Sequence, residues 1–233
     1  MAVVAAQYFQ RHLARAVQVL HRGRYLSGPL SASRFNRRLH ALRGWLGLLA
    51  EALGAIFAQG EAFLIESLPV PVCKRARAWR CKKGRGKAFC GYCAAKKETF
   101  FGWRLHLIGT PAGVPVRFEL APGGLHDLTS VHELTPGLPD GATVYGDKGD
   151  NAADDEATIL ADTGVRLAPI RKANMAPNLW ADKRALRAHR RRIETLYSQF
   201  EAMGLERLRA RTTPGLELKV HAAVLAATPT NAH

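Results

Sequence analysis

Apolar residues return at helical spacing from the start of the chain. Val4, Tyr8, Leu13, Val17 and Leu20 form one stripe, and the spacing predicts a helix over residues 3–22. Gly28 and Pro29 punctuate the stretch that follows, and Ser31 offers an N-cap for a second helix from about Arg34. That helix begins basic, with Arg34, Arg37, Arg38 and Arg43, and turns apolar from Trp45 and Leu46. Its apolar run, Gly44 to Ala58, contains Glu51 and is too short to span a bilayer, so a buried helix is expected. Residues 1–60 therefore read as an N-terminal helical region with one basic face, a candidate DNA-binding surface.

The period changes at Ala62. Phe63, Leu64 and Ile65 read as a short buried strand ending at Glu66. Phe100–Ile108 and Val114–Leu120 read as two strands joined by a turn over Gly109–Gly113. His126–Leu134 suits a short helix, with Asp127 as its N-cap or first-turn acid. Thr143–Tyr145 is a strand leading to Asp147, residues 151–163 a helix closed by Gly164, and Val165–Pro169 another strand. Asp182–Met203 is a long charged helix carrying Glu194, and no element is assigned beyond it. Hairpin strands followed by alternating β and α units predict an α/β fold over residues 61–233, a mixed β-sheet flanked by helices. Residues 74–97 fit no period. They read as a long, mostly irregular loop with cations at Lys74, Arg75, Arg77, Arg80, Lys82, Lys83, Arg85, Lys87, Lys96 and Lys97.

Composition sharpens this picture in one direction. The sequence is 47% hydrophobic over 233 residues, which excludes a disordered polyelectrolyte. Its 34 lysines and arginines against 19 acids leave a formal charge of +15, which predicts a polyanionic partner, nucleic acid foremost. Residues 1–9 lack the basic start and the length of a secretory leader, so four cysteines imply a reducing cytoplasm without disulfides. Cys73, Cys81, Cys90 and Cys93 contain one close pair, which leaves a zinc site and four ordinary thiols both open. His106, within an apolar strand, reads as a packed histidine. Trp79, Tyr92, Phe100 and Trp103 interleave with the basic loop. They suit either stacking on unpaired bases or anchoring the loop to the core, and the core is the preferred reading.

The chemistry rests on carboxylates. Glu66 and Asp147 end predicted strands and Glu194 lies on a late helix. Acids that converge at a sheet edge can hold two Mg²⁺ (or Mn²⁺) ions through hard oxygen ligands. Two such ions activate a water or 3′-hydroxyl and stabilise the leaving oxygen of an in-line displacement at phosphorus.

The residue strings add to this. Val144-Tyr-Gly-Asp147-Lys-Gly149 resembles the block around the second catalytic aspartate of DDE-type transposases of bacterial insertion sequences. Arg190-Arg-Arg-Ile-Glu194-Thr-Leu-Tyr-Ser-Gln199 resembles the block around their catalytic glutamate. Gly164 to Met175, with Arg171 and Lys172, is similar to the linking strand and basic turn. Ser67–Cys73, Gly91–Lys97 and Phe101–His106 resemble one subgroup, the insertion-sequence family numbered 982. The resemblance covers roughly residues 4–228.

It implies a ribonuclease-H-like fold and a metal triad of Glu66, Asp147 and Glu194. It implies DNA contacts by Arg190, Arg171, Lys172, Lys96, Lys97 and Lys148, and cleavage and strand transfer at the element's own ends. The partner would be double-stranded DNA, as terminal inverted repeats and target, bound by a homodimer because two ends must be paired. No membrane and no small-molecule substrate are implied. Three positions depart from the pattern. Glu66 replaces the first aspartate, Asp150 replaces an aromatic residue, and Glu201 replaces a lysine, where repulsion of phosphate is expected. These point to a shortened or diverged copy. A catalytically impaired DNA-binding derivative is the alternative, and an RNase-H-like nuclease on hybrids a third reading.

Overall fold

A computed structural model of the protein describes residues 1–231 apart from 11, 27, 29, 82, 95, 147–152, 172–176 and 209. The stripe expected as one helix over 3–22 is two, α1 (Ala2–Phe9) and α2 (Leu13–Arg22), broken where Gln10 adopts left-handed φ 45°. The second expected helix also divides, into α3 (Ala32–Ala41) and α4 (Arg43–Phe57) on either side of Leu42. Ser31 caps α3 as its side chain suggests, its hydroxyl accepting from the Arg34 N–H at 3.2 Å.

The short strand expected at Phe63–Ile65 runs on to Cys73 as β1 (Ala62–Cys73), so Glu66 stands within it rather than at its end. Antiparallel pairing with β3 (Glu98–Gly109) carries it that far. Pro69 and Pro71 occupy alternate positions, so both missing N–H groups face the same side. Parallel pairing with β5 (Thr143–Gly146) has already stopped at Leu64 on β1. The basic loop is less irregular than its sequence suggests. It holds two short 3₁₀ turns, Arg75–Arg80 and Lys87–Phe89, and strand β2 (Cys90–Cys93).

Among the described residues the mixed sheet has six strands. β3 is central to one half, paired along one side with β1 and on the other with β2 near its start and β4 (Pro115–Pro122) further on. Beyond β1 the sheet continues in parallel through β5 to β6 (Arg166–Pro169). Gly164 closes helix α6 (Ala153–Thr163) at φ 69°, its N–H donating to the Leu160 carbonyl, as its place in the sequence predicts.

The two sheet faces bury different sets. Phe63, Ile65, Ile108, Val144 and Leu167 pack with α5 (Asp127–Leu134) and Ile159 of α6. Leu68, Val70, Leu105 and Leu107 pack with Leu196 and Phe200 of α7 (Trp180–Ala202) and with helix α8 (Thr213–Asn231). α8 is the element that periodicity does not reveal. Leu216, Leu218 and Val220 alternate as in a strand, and Ala222–Ala227 is apolar at every position. Contacts from α1, α3, α4, α7 and β4 surround it, and a helix buried on all sides needs no polar face. α1 and α4 share this core through Ala6 and Ala50. α4 lies so close to β4 that a Cβ on Gly54 would stand 2.0 Å from the Val116 carbonyl oxygen, which requires glycine. No helix among the described residues is long and apolar enough to cross a membrane.

Candidate active site

Side chains alternate along a strand, so register assigns the acids to faces. Glu66 lies opposite Leu107 of β3 and alternates with Leu64, Leu68 and Val70, which places it on the face covered by α7. Tyr145 of β5 pairs with Leu64 and belongs to the same face. There its ring meets the His189 imidazole of α7, with centroids 6.0 Å apart. Leu196 lies seven residues further along α7 and therefore on the same side of the helix. It approaches Gly109, the β3 partner of Leu64, with its Cδ2 3.8 Å from where a Cβ would stand. α7 thus crosses from β5 to β3 over β1, and Glu194 stands on the crossing stretch between the two contacts, exposed. The His189 contact is missing from the sequence reading. Its one signal was the seven-residue spacing from Leu196.

Asp147 follows Gly146, the last residue of β5, and lies outside the described residues, as do Lys148, Asp150 and Lys172. The Arg190 side chain is likewise not described. Among the described residues no three His, Cys, Asp or Glu side chains form a group able to hold a metal ion. The donors Glu66 and Glu194 are carboxylates, the ligand type that Mg²⁺ and Mn²⁺ prefer.

The candidate DNA-binding cations fall into two groups. Lys97 is exposed at the β2–β3 turn. Lys96 is engaged inside the chain, with Glu201 at 3.0 Å and with Glu206. Burial lowers the pKa of its ammonium, but the hydrogen bonds it donates to Glu206 and Glu201 outweigh that and hold it above the ordinary lysine range. The repulsion expected of Glu201 toward phosphate is therefore met by Lys96. Arg171 is paired bidentately with Glu156 and is half-buried.

Near the other sheet face, His126 caps α5 by accepting from the Leu128 N–H, and Asp127 is the first-turn acid. Asp127 reaches Arg104 at 3.7 Å and His106 Nδ1 at 3.9 Å. His106 is 1% exposed, as a packed histidine should be, but its buried Nε2 has no hydrogen-bond partner among the described residues. Burial lowers its pKa to about 4, against an upward pull from Asp127 and with a further downward push from Arg104. The sign follows directly. The unfolded chain binds the proton below about 6.5 and the folded chain only near 4, so this contribution is complete above pH 6.5 and lost on acidification toward 4. Urea titrations at pH 7 and 4.5 should show roughly 2–3 kcal/mol more acid loss for the native chain than for His106→Leu. Equal losses would remove His106 as the cause.

The four cysteines do not gather. Burial, then neighbouring Cys81, raises the Cys73 thiol, but among the described residues no third ligand joins the two. The interleaved aromatics divide. Phe100 and Trp103 pack inward, whereas Trp79 and Tyr92 are exposed and correct the core reading for those two.

A sequence model of the family described as Transposase DDE domain matches residues 58–213, more than half of the chain. An experimental structure of the piggyBac transposase, in a synaptic complex with hairpin DNA, superposes on the fold with a TM-score of 0.54 at 9% identity. The match covers 99% of this chain and 64% of that one, so this chain spans less than two thirds of the piggyBac chain. At that identity the likeness establishes the fold, which is the ribonuclease-H-like mixed sheet flanked by helices. No curated protein is significantly similar in sequence.

Proposed function

The chain belongs to the transposase DDE-domain family, and from that premise we propose that it cuts and rejoins the ends of a bacterial insertion sequence of the 982-numbered kind. One observation carries the site. Glu66 of β1 and Tyr145 of β5 share the sheet face that α7 crosses, Asp147 follows the last residue of β5 in the sequence, and Glu194 lies on the crossing stretch of α7, which supports this reading. Glu66, Asp147 and Glu194 would hold one or two Mg²⁺ or Mn²⁺ ions. When bound, such ions lower the pKa of the attacking water or 3′-hydroxyl and take up charge on the leaving oxygen.

The chain's own residues set the rest. Glu66 projects from a strand paired along its length, which fixes its backbone. Glu194 projects from a helix seated by Leu196 and Phe200. Arg190, one helical turn before Glu194, would meet phosphate from the same side, with Lys97, Lys148 and Lys172 neutralising the flanking backbone. Lys96 and Arg171 would first have to exchange their carboxylates for phosphates. Transposition joins two ends, so the proposed working form is a homodimer on double-stranded DNA in the bacterial cytoplasm. The exposed cations along residues 74–97 add to the DNA attraction.

The test uses duplexes copied from the flanks of the chain's own gene. Native protein should bind them with an affinity that falls steeply with salt in metal-free buffer. It should cleave a strand only when Mg²⁺ or Mn²⁺ is added. Salt-sensitive binding with no cleavage in either metal would select the second reading, an impaired DNA-binding derivative, which the glutamate at position 66 favours.

A further inference from the structure

Between Glu66 and Glu98 the sequence places ten lysines and arginines and no carboxylate. A segment so charged repels itself, and a polyanion relieves the repulsion. Its base is nevertheless well anchored. Phe89 packs edge-on to Trp103 at 4.9 Å and beside Phe101 at 6.0 Å. Trp103 Nε1 donates to the Lys83 carbonyl at 3.0 Å, and Lys83 Nζ donates to the Val72 carbonyl at 3.2 Å. A Cβ on Gly84 would stand 2.6 Å from the Phe89 ring, so that contact depends on glycine.

Trp79 takes no part in this anchoring. It sits on the 3₁₀ turn Arg75–Arg80 and is 77% exposed. The Arg80 guanidinium lies over its ring, 4.2 Å from the centroid. Beside it opens a hollow of about 470 Å³ lined by Ala78, Trp79, Arg80, Cys81, Arg85 and Gly86. An indole this exposed adds almost nothing to the core. Set among cations on a pinned support, it presents an aromatic surface in a positive field.

We propose that this turn is a stacking platform for an unpaired base of DNA. Trp79 offers the ring face that Arg80 does not cover, and Arg77, Arg85 and Lys87 take the neighbouring phosphates. A base within a duplex already has both faces stacked, so only one that has left the stack can lie on the indole. The platform rests on DNA being the substrate, as the family reading holds. It assigns to the turn Arg75–Arg80, with Arg85 and Lys87, a contact separate from the carboxylate site.

Two DNAs of equal length, one fully paired and one carrying 2-aminopurine in a short single-stranded gap, test it in metal-free buffer. Native protein is expected to prefer the gapped DNA and to quench its fluorescence. Trp79→Ala should lose roughly tenfold or more in affinity for the gapped DNA, the weight of one stacked base. It should also lose the quenching and keep the native affinity for the duplex and the native thermal midpoint. Trp79→Phe should recover most of the loss. Equal binding of the gapped DNA by Trp79→Ala and native protein overturns the platform, as does an equal loss on both DNAs or a lowered midpoint. Cleavage does not enter the measurement. A chain that quenches 2-aminopurine through Trp79 yet never cuts its element's ends would refute the transposase proposal and leave the platform standing.

Discussion

An Asp147→Ala variant is expected to lose Mg²⁺-dependent cleavage of the element's ends by more than about 10³-fold, while its salt-sensitive binding to the same DNA survives. The size follows from what a metal supplies at phosphorus. Stabilisation of the transition-state charge by several kcal/mol corresponds to about three decades in rate. The separation of cleavage from binding follows from charge. With 34 cations against 19 acids, loss of one carboxylate cannot weaken attraction to a polyanion. Glu194→Gln should behave alike, because an amide keeps the shape of the side chain and removes the charge that a dication needs. Single-turnover cleavage and filter binding on one DNA measure both quantities. Native cleavage rates in Asp147→Ala would falsify the carboxylate assignment.

Glu66→Asp is expected to raise the cleavage rate, by up to about 10²-fold. The reasoning is geometric. A glutamate carries its oxygens about 1 Å or more further from the backbone than an aspartate, and displacement on that scale can cost about 10²-fold. The backbone has little room to compensate. β1 is paired to β3 from Leu64 to Cys73, and the neighbours of Glu66, Ile65 and Leu68, are 3% and 2% exposed. Side-chain length therefore sets where the carboxylate ends. Initial rates for the two proteins at saturating Mg²⁺ decide the matter. A slower Glu66→Asp variant would show that the site has settled around the glutamate and that position 66 is no lesion.

Much of the fold was legible because it depends on neighbouring residues. Ser31 caps α3 whatever that helix later touches, and Gly164 turns left-handed to close α6 by its own lack of a side chain. The β3–β4 hairpin, β5, β6 and α7 follow from their periods in the same way. The helix boundaries at Gln10 and Leu42 were not legible, because the apolar stripe runs through both. β1 read as too short because its apolar run stops at the acid Glu66, and prolines, which rarely stand within a sheet, follow soon after. They are accommodated at Pro69 and Pro71 because β5 has stopped pairing before them.

The sequence by itself determined the basic character, the three candidate acids, the residue blocks of the family and most of the elements. Only the tertiary structure decided which of these meet. Parallel pairing of β5 with β1 puts Glu66 and Tyr145 on one sheet face, and α7 passes over that face from Tyr145 to Gly109. The same folding holds Lys96 against Glu201 and Glu206, 105 and 110 residues away, and leaves Trp79 outside. It also makes a helix of residues 213–231, whose pattern names no single face. The division has a physical cause. Capping, turn geometry and period are set by backbone sterics over a few residues. Strand partners, ion pairs across the chain and the burial of a wholly apolar helix are set by which surfaces exclude water together, and no local pattern records that.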